Sequence, residues 1–357
     1  MATQNGNAMA NSSTNSDDPP VSKEVPGKAR NTSPLLADSG SSASSGGDSE
    51  TFSLDDTMRD FPVHFDRTYH KYKAGSYPFP NDAQEVERMN EQFCLIRAAH
   101  EGKMFMADIK EPGNILDIGT GSGIWAISVA DNIFPDAQIT GIDLSPIQPH
   151  IVPPGVRFEQ QDCSELDWCR PADSFDFIFS QCLMGSLKDY QQLLITARKY
   201  LVPGEGWMEC CEVDNIPSCD DGTMPEDWPL KRWSEWMVYA TEQGERPLRI
   251  APFVKRWMIE SGYVDVQEVV VKIPLGGWPA LPRLKKLGKR FHTLVHDSLP
   301  AASYKTFNEV MKWDRAKIEL FLASVREIYG RRPSADEERQ MGRMAPPPPP
   351  SQRKAKT

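Results

Sequence analysis

Between about residues 60 and 330, short apolar runs alternate with stretches whose apolar residues recur every three or four positions. That is the pattern of strands alternating with amphipathic helices. Val86, Met89, Phe93 and Ile96 fall at helical spacing behind the run 81–85. Asp82 reads there as the N-cap, with Glu85 at the third helical position. Runs at 114–118, 138–143, 156–159, 175–180 and 206–212 read as five strands. Residues 124–130, and Tyr190, Leu193, Leu194, Ala197 and Leu201, supply helices between them, and Pro203-Gly204 closes the second. Strand–helix alternation at this spacing predicts an α/β, Rossmann-like fold, a mostly parallel sheet with helices on both faces. Trp-rich helical signals fill 226–261, 264–273 reads as another strand, and helices from about 281 to 327 form a C-terminal cover.

The ends of the chain read differently. Residues 1–57 are rich in Ser, Asn, Asp, Gly and Pro and carry few apolar side chains, so a disordered extension is expected. Residues 331–357, with prolines from Pro346 to Pro350, read as a disordered Pro-rich tail. The ordered part, 58–330, divides into a cofactor half at about 77–213 and an acceptor and cover half at about 214–330. Hydrophobic residues make up 39% of the 357, enough for a real core.

Charge and cysteine content exclude several classes of function. The formal net charge is -10 and no long basic block occurs, which argues against direct nucleic-acid binding. No apolar run reaches the roughly 18–20 residues of a membrane helix. The N-terminus lacks the basic start and apolar stretch of a secretory signal, so a nuclear or cytoplasmic protein is expected. Seven cysteines without C-x-x-C or zinc-ligand spacing read as reduced thiols, with no metal site.

Candidate chemistry begins at Asp117-Ile118-Gly119-Thr120-Gly121-Ser122-Gly123, which leaves a strand and opens a helix. Three glycines let the backbone turn tightly and approach a ligand. The G-x-G-x-G spacing, with Ile124 where a dinucleotide fingerprint has Gly or Ala, suits a nucleoside carrying an amino-acid chain. Asp143 ends the next strand, where a carboxylate can accept from ribose hydroxyls; capping the turn before Ser145-Pro146 is the plainer alternative. After the third strand, Asp162 with Cys163 can receive an adenine edge.

These elements, in this order, resemble class I methyltransferases that use S-adenosylmethionine. The runs 77–82, 119–125, 143–149 and 219–223, with Gly185-Ser186 and 274–279, are similar to segments of the LaeA-like (TAM/UbiE-type) family, fungal proteins tied to control of secondary metabolism. The resemblance covers roughly 60–330. It implies that Asp117, Gly119, Thr120, Gly121, Ser122 and Gly123 line the methionine and ribose end, and that Asp143 and Leu144 serve the ribose. By the same resemblance Asp162 and Cys163 hold the adenine, Tyr77 helps roof the pocket, and Gln181 sits near the methyl group. One departure stands out. Residues 325–328 lead straight into Tyr329-Gly330-Arg331-Arg332-Pro333, so the family's closing strand reads as shortened or lost, which would leave an open sheet edge.

No catalytic base is evident. Glu209 and Glu212 near the end of the fifth strand, and His292 and His296 one helical turn apart, are candidates; surface or packing roles are the alternatives. Trp228, Trp233, Trp236, Trp257 and Trp278 read either as a packed cover or as an aromatic acceptor pocket. Two functions remain open: methyl transfer to a small-molecule or protein acceptor, and a LaeA-like regulatory role through protein partners in a nuclear complex. The glycine spacing disfavours a nicotinamide oxidoreductase.

Overall fold

A computed structural model describes residues 61–328, all within the compact unit Ser53–Thr357. The expected N-terminal extension and Pro-rich tail lie outside the described residues. The chain opens with a small hairpin, β1 (Val63–His64) and β2 (Arg67–Thr68), followed by α1 (Ala83–Ala99). Then come β3 (Asn114–Ile118), α2 (Ile124–Asn132), β4 (Gln138–Asp143), β5 (Val156–Gln160), β6 (Phe177–Gln181), α3 (Tyr190–Arg198) and β7 (Trp207–Cys211). The remainder is helical: α4 (Pro229–Gln243), α5 (Ala251–Glu260), α6 (Pro282–Glu309) and α7 (Arg315–Ile328).

β3 to β7 form one parallel sheet in the order β5-β4-β3-β6-β7. Successive side chains of a strand point to opposite faces, and here both faces are covered. Leu116, Ile118, Ile142 and Ile178 pack with Leu193, Leu194 and Ala197 of α3 and Val254 of α5. Ile115, Ile139, Phe177 and Phe179 pack with Phe93 of α1 and Trp125, Ala126 and Val129 of α2. Two-sided burial explains why these strands read as continuous apolar runs. The Rossmann-like expectation is met, and the sheet is wholly parallel.

The cover over the C-terminal half is α4, α6 and α7. Trp236, Met237, Phe307, Trp313, Phe321 and Leu322 form its core. Trp233 donates from Nε1 to Ser303 Oγ at 2.8 Å, whereas Trp278 is 77% exposed. Trp236 and Trp233 therefore build a packed cover, with Trp228 half-buried against it and Trp257 against the sheet core.

One expected strand is absent. Residues 264–273 take no strand conformation, and Val264 and Val270 are 82% and 76% exposed. Period-two apolar spacing makes a strand only where a neighbouring backbone completes the ladder, and among the described residues no strand pairs with the outer edge of β7. The run 329–333, on which the expected loss of the closing strand falls, lies outside the described residues.

The hairpin of β1 and β2 was not expected within the ordered part. Phe65 and Asp66 hold φ of 51° and 61° at the hairpin tip, costly for Phe65. The ring of Phe65 stacks on Tyr304 of α6 with centroids 5.2 Å apart, a contact that can offset the strain. Asp82 caps α1 by accepting from Glu85 N–H at 3.0 Å. Glu85 does not complete a capping box; it is buried and pairs with Arg88 at 2.7 Å.

Candidate functional site

The carboxyl ends of β3, β4 and β5 lie side by side, with Asp117 opposite Gly141 and Asp143 opposite Gln160 in the ladders. The turn Gly119–Gly123 sits over them. Its glycines have φ of 67°, 57° and 80°, in the region that excludes most side chains. A Cβ on Gly119 would lie 2.4 Å from Leu183 Cδ2, and one on Gly123 would lie 2.4 Å from Phe158 Cζ. Gly119 and Thr120 donate from their N–H groups to Ile142 C=O at 2.9 and 3.0 Å. Gly121 N–H donates to Asp143 Oδ2 at 2.9 Å, and Ser145 N–H to Asp143 Oδ1 at 2.9 Å. Thr120 Oγ1 donates to Asp117 Oδ2 at 2.6 Å.

The electrostatics of this cluster point one way. Burial, aided by the Asp143 charge and opposed by the Thr120 hydrogen bond, pushes Asp117 up to about 7. Burial pushes Asp143 up to about 6 against its backbone hydrogen bonds. Two carboxyls flank a glycine turn in a place short of positive charge.

Asp162 follows β5 and is set differently. It accepts from Lys73 Nζ at 2.8 Å and from Ser164 N–H and Oγ at 2.8 and 2.6 Å. Burial opposes its ionisation, and these bonds outweigh it, holding the group below the usual carboxylate range. Cys163 accepts at its carbonyl from Trp168 Nε1 at 3.2 Å; burial pushes its thiol up to about 12, which makes it inert. Leu144 C=O accepts from Gln160 Nε2 at 2.9 Å. The Gln181 amide, at the tip of β6, lies 3.6 Å from Cys211 Sγ. Tyr77 packs 5.3 Å from Phe79, and its phenol is raised by burial first, with Glu85, Arg88, Asp143 and Cys182 among the groups it feels.

The structure thus brings Asp117, Gly119 to Gly123, Asp143, Leu144 and Tyr77 to one place, with Asp162 and Cys163 on the next strand end and Gln181 across β3. It adds residues the sequence reading passed over. Ser122 Oγ donates to Asn90 Oδ1 at 2.6 Å, and Gln148 Nε2 donates to Gly121 C=O at 2.6 Å. A Cβ on Gly121 would lie 3.1 Å from Met89 Sδ. Only the helical spacing of α1 and the polar residue between two prolines hinted at these contacts.

Both carboxylates of the fifth strand are structural anchors. Glu209 accepts from Met106 and Ala107 N–H, with distances of 2.7 and 2.8 Å to one oxygen. Glu212 accepts from Leu183 and Met184 N–H at 3.0 and 3.2 Å and from Tyr190 O–H at 3.1 Å. His296 faces solvent beside Asp297, so no base emerges there. Among the described residues no group of His, Cys, Asp and Glu could hold a metal ion, and no helix is long and apolar enough to cross a membrane.

A methyltransferase-domain family model matches residues 88–268. Methyltransferase pytC of Aspergillus terreus is 36% identical over 78% of this chain and 86% of its own length. Secondary metabolism regulator LAE1 of Cochliobolus heterostrophus is 34% identical over 70% of this chain and 82% of its own. Likeness to solved structures is remote. A chain of the complex between the Haloferax volcanii Trm112 methyltransferase activator and a methyltransferase is 16% identical, with a TM-score of 0.40 over 59% of this chain and 90% of that one. By sequence along most of its length, this chain is a member of the methyltransferase-domain family, within the LaeA-like group.

Proposed function

We propose that the chain transfers a methyl group from S-adenosylmethionine to an acceptor in secondary metabolism, a small molecule or a protein, with the cofactor held at the carboxyl ends of β3, β4 and β5. One observation carries the cofactor assignment. Asp117 and Asp143 flank the glycine turn with their ionisation opposed by burial, which suits a ligand bearing positive charge. S-adenosylmethionine carries an ammonium and a sulfonium, and it supplies an electrophilic methyl group.

In this reading Asp117 and the turn face the amino-acid end, Asp143 and Leu144 the ribose, and Asp162 with Cys163 the adenine, while Tyr77 and Gln181 bound the pocket. Residues from about 77 to 213 form the cofactor half, and those from about 214 to 330 the acceptor side. Methyl transfer is an in-line displacement, so the chain's work is alignment and exclusion of water, worth up to ~7–11 kcal/mol of barrier. Glu209 and Glu212 are committed to backbone N–H groups, so no general base is assigned.

A second reading draws support from the LAE1 relative, named as a regulator. In it cofactor binding serves a regulatory complex of protein partners in the nucleus. Titration of the purified chain with S-adenosylhomocysteine and with NAD tests the shared premise. Micromolar binding of S-adenosylhomocysteine is expected; binding of NAD alone would overturn it. Asp143→Ala, followed in metabolite profiles and partner pull-downs, separates the two. Survival of both after loss of cofactor binding would sink the enzyme reading.

A further inference from the structure

Two cations with no carboxylate partner among the described residues act on His70. The His70 side chain is 2% exposed. Its Nε2 lies 3.3 Å from the Lys73 carbonyl oxygen, which can only accept, so Nε2 carries the hydrogen. Nδ1 is buried with no hydrogen-bond partner among the described residues. Lys305 of α6 is 9% exposed. Its ammonium lies 4.7 Å from the centre of the Tyr69 ring and 3.4 Å from the Tyr77 carbonyl oxygen, with no carboxylate of the described residues in ion-pair contact. The acid it feels, Glu309, is exposed.

Arg246 donates to the Ser186 carbonyl and has no ion pair among the described residues. Asp162, the acid Arg246 feels, is already held by Lys73, which also pairs with Glu165. His70 in turn feels both Lys305 and Arg246, after burial as the largest influence. Burying a cation without counter-charge is costly, and here buried Lys305 and half-buried Arg246 both act on an imidazole with one orphaned nitrogen. They converge on segment 69–77 and on the turn after β6, over the strand ends where parallel sheets receive ligands.

We propose that His70, Arg246 and Lys305 form a subsite for an oxyanion, a carboxylate or phosphate group carried by the methyl acceptor. Only its assignment to the acceptor rests on the methyltransferase reading; the anion subsite stands on its own geometry. An oxyanion accepts charge-assisted hydrogen bonds from Arg246 and Lys305. It also favours protonation of Nδ1, which then donates to it.

Thermal unfolding of the full-length chain tests this with inorganic phosphate and with succinate, each against sodium chloride of equal ionic strength. At ten times its Kd, one of these anions is expected to raise Tm by about 3 °C. The anion that acts at lower concentration identifies the group. Arg246→Gln and Lys305→Met are each expected to abolish the rise above the chloride control; Hofmeister effects persist in the variants and so cancel. If Lys305→Met does not fold, Arg246→Gln carries the comparison, since it leaves Lys305 and Tyr69 in contact. No rise in the wild type, or an equal rise in Arg246→Gln, overturns the proposal. S-adenosylhomocysteine is titrated separately. A phosphate response without cofactor binding keeps the subsite and removes the acceptor assignment; cofactor binding without an anion response overturns the subsite and leaves the methyltransferase reading standing.

Discussion

Gly121 N–H donates to the Asp143 carboxylate across 2.9 Å, tying the glycine turn after β3 to the tip of β4. The second oxygen of Asp143 is held by Ser145 N–H. Turn and carboxylate are fixed to each other within the protein itself, so little reorganisation remains for binding, which is the benefit of preorganisation.

The turn's glycines should differ in tolerance. An alanine at 121 meets Met89 Sδ, the flexible end of a side chain, whereas one at 123 meets the ring of Phe158. Both would hold a left-handed φ. Gly123→Ala is expected to destabilise by about 2–4 kcal/mol, adding left-handed strain to overpacking, and Gly121→Ala by about 1–2 kcal/mol. Urea denaturation of both variants checks the order; equal losses would contradict the contacts described.

Asp117 should leave a mark on stability against pH. A carboxyl raised in the folded state stabilises below its unfolded value of 3.8, and that contribution is lost as pH rises through the folded value of about 7. Asp117→Asn can still accept from Thr120 and cannot ionise. Relative to wild type it is expected to gain stability from pH 4 to pH 8, ending about 2–4 kcal/mol ahead. Parallel stability curves for the two proteins across that range would refute the buried carboxyl.

Lys73 holds the carboxylate that the proposed function gives to adenine, and its side chain is 35% exposed. Surface ion pairs are worth about 0–1 kcal/mol. Lys73→Met is therefore expected to tighten S-adenosylhomocysteine binding by up to about fivefold. Calorimetric titration measures it, and weaker binding in the variant would mean that Lys73 supports the site.

The unpaired segment 264–273 offers a direct check on the fold. Val264 and Val270 are exposed, so Val264→Lys and Val270→Lys should each change stability by less than about 0.5 kcal/mol. Losses of several kcal/mol would show that both side chains are buried in a strand.

Much of the site was legible because its determinants are local. The glycines of 119–123 declare a tight turn by what they lack, and Asp143 declares itself by ending a strand. Lys73 on Asp162, Asn90 on Ser122 and Lys305 on Tyr77 bridge 89, 32 and 228 positions. No periodicity records such pairs.

By itself the sequence determined the five parallel strands, the helices between them and the glycine turn, since apolar period, caps and backbone freedom act within a few residues. Only the tertiary structure decided that 264–273 stays unpaired and that Glu209 and Glu212 anchor backbone. It also decided that Lys305 and Arg246 both act on His70. A ladder partner, an N–H donor or a counter-charge comes from distant chain, and its arrival depends on how the whole molecule packs.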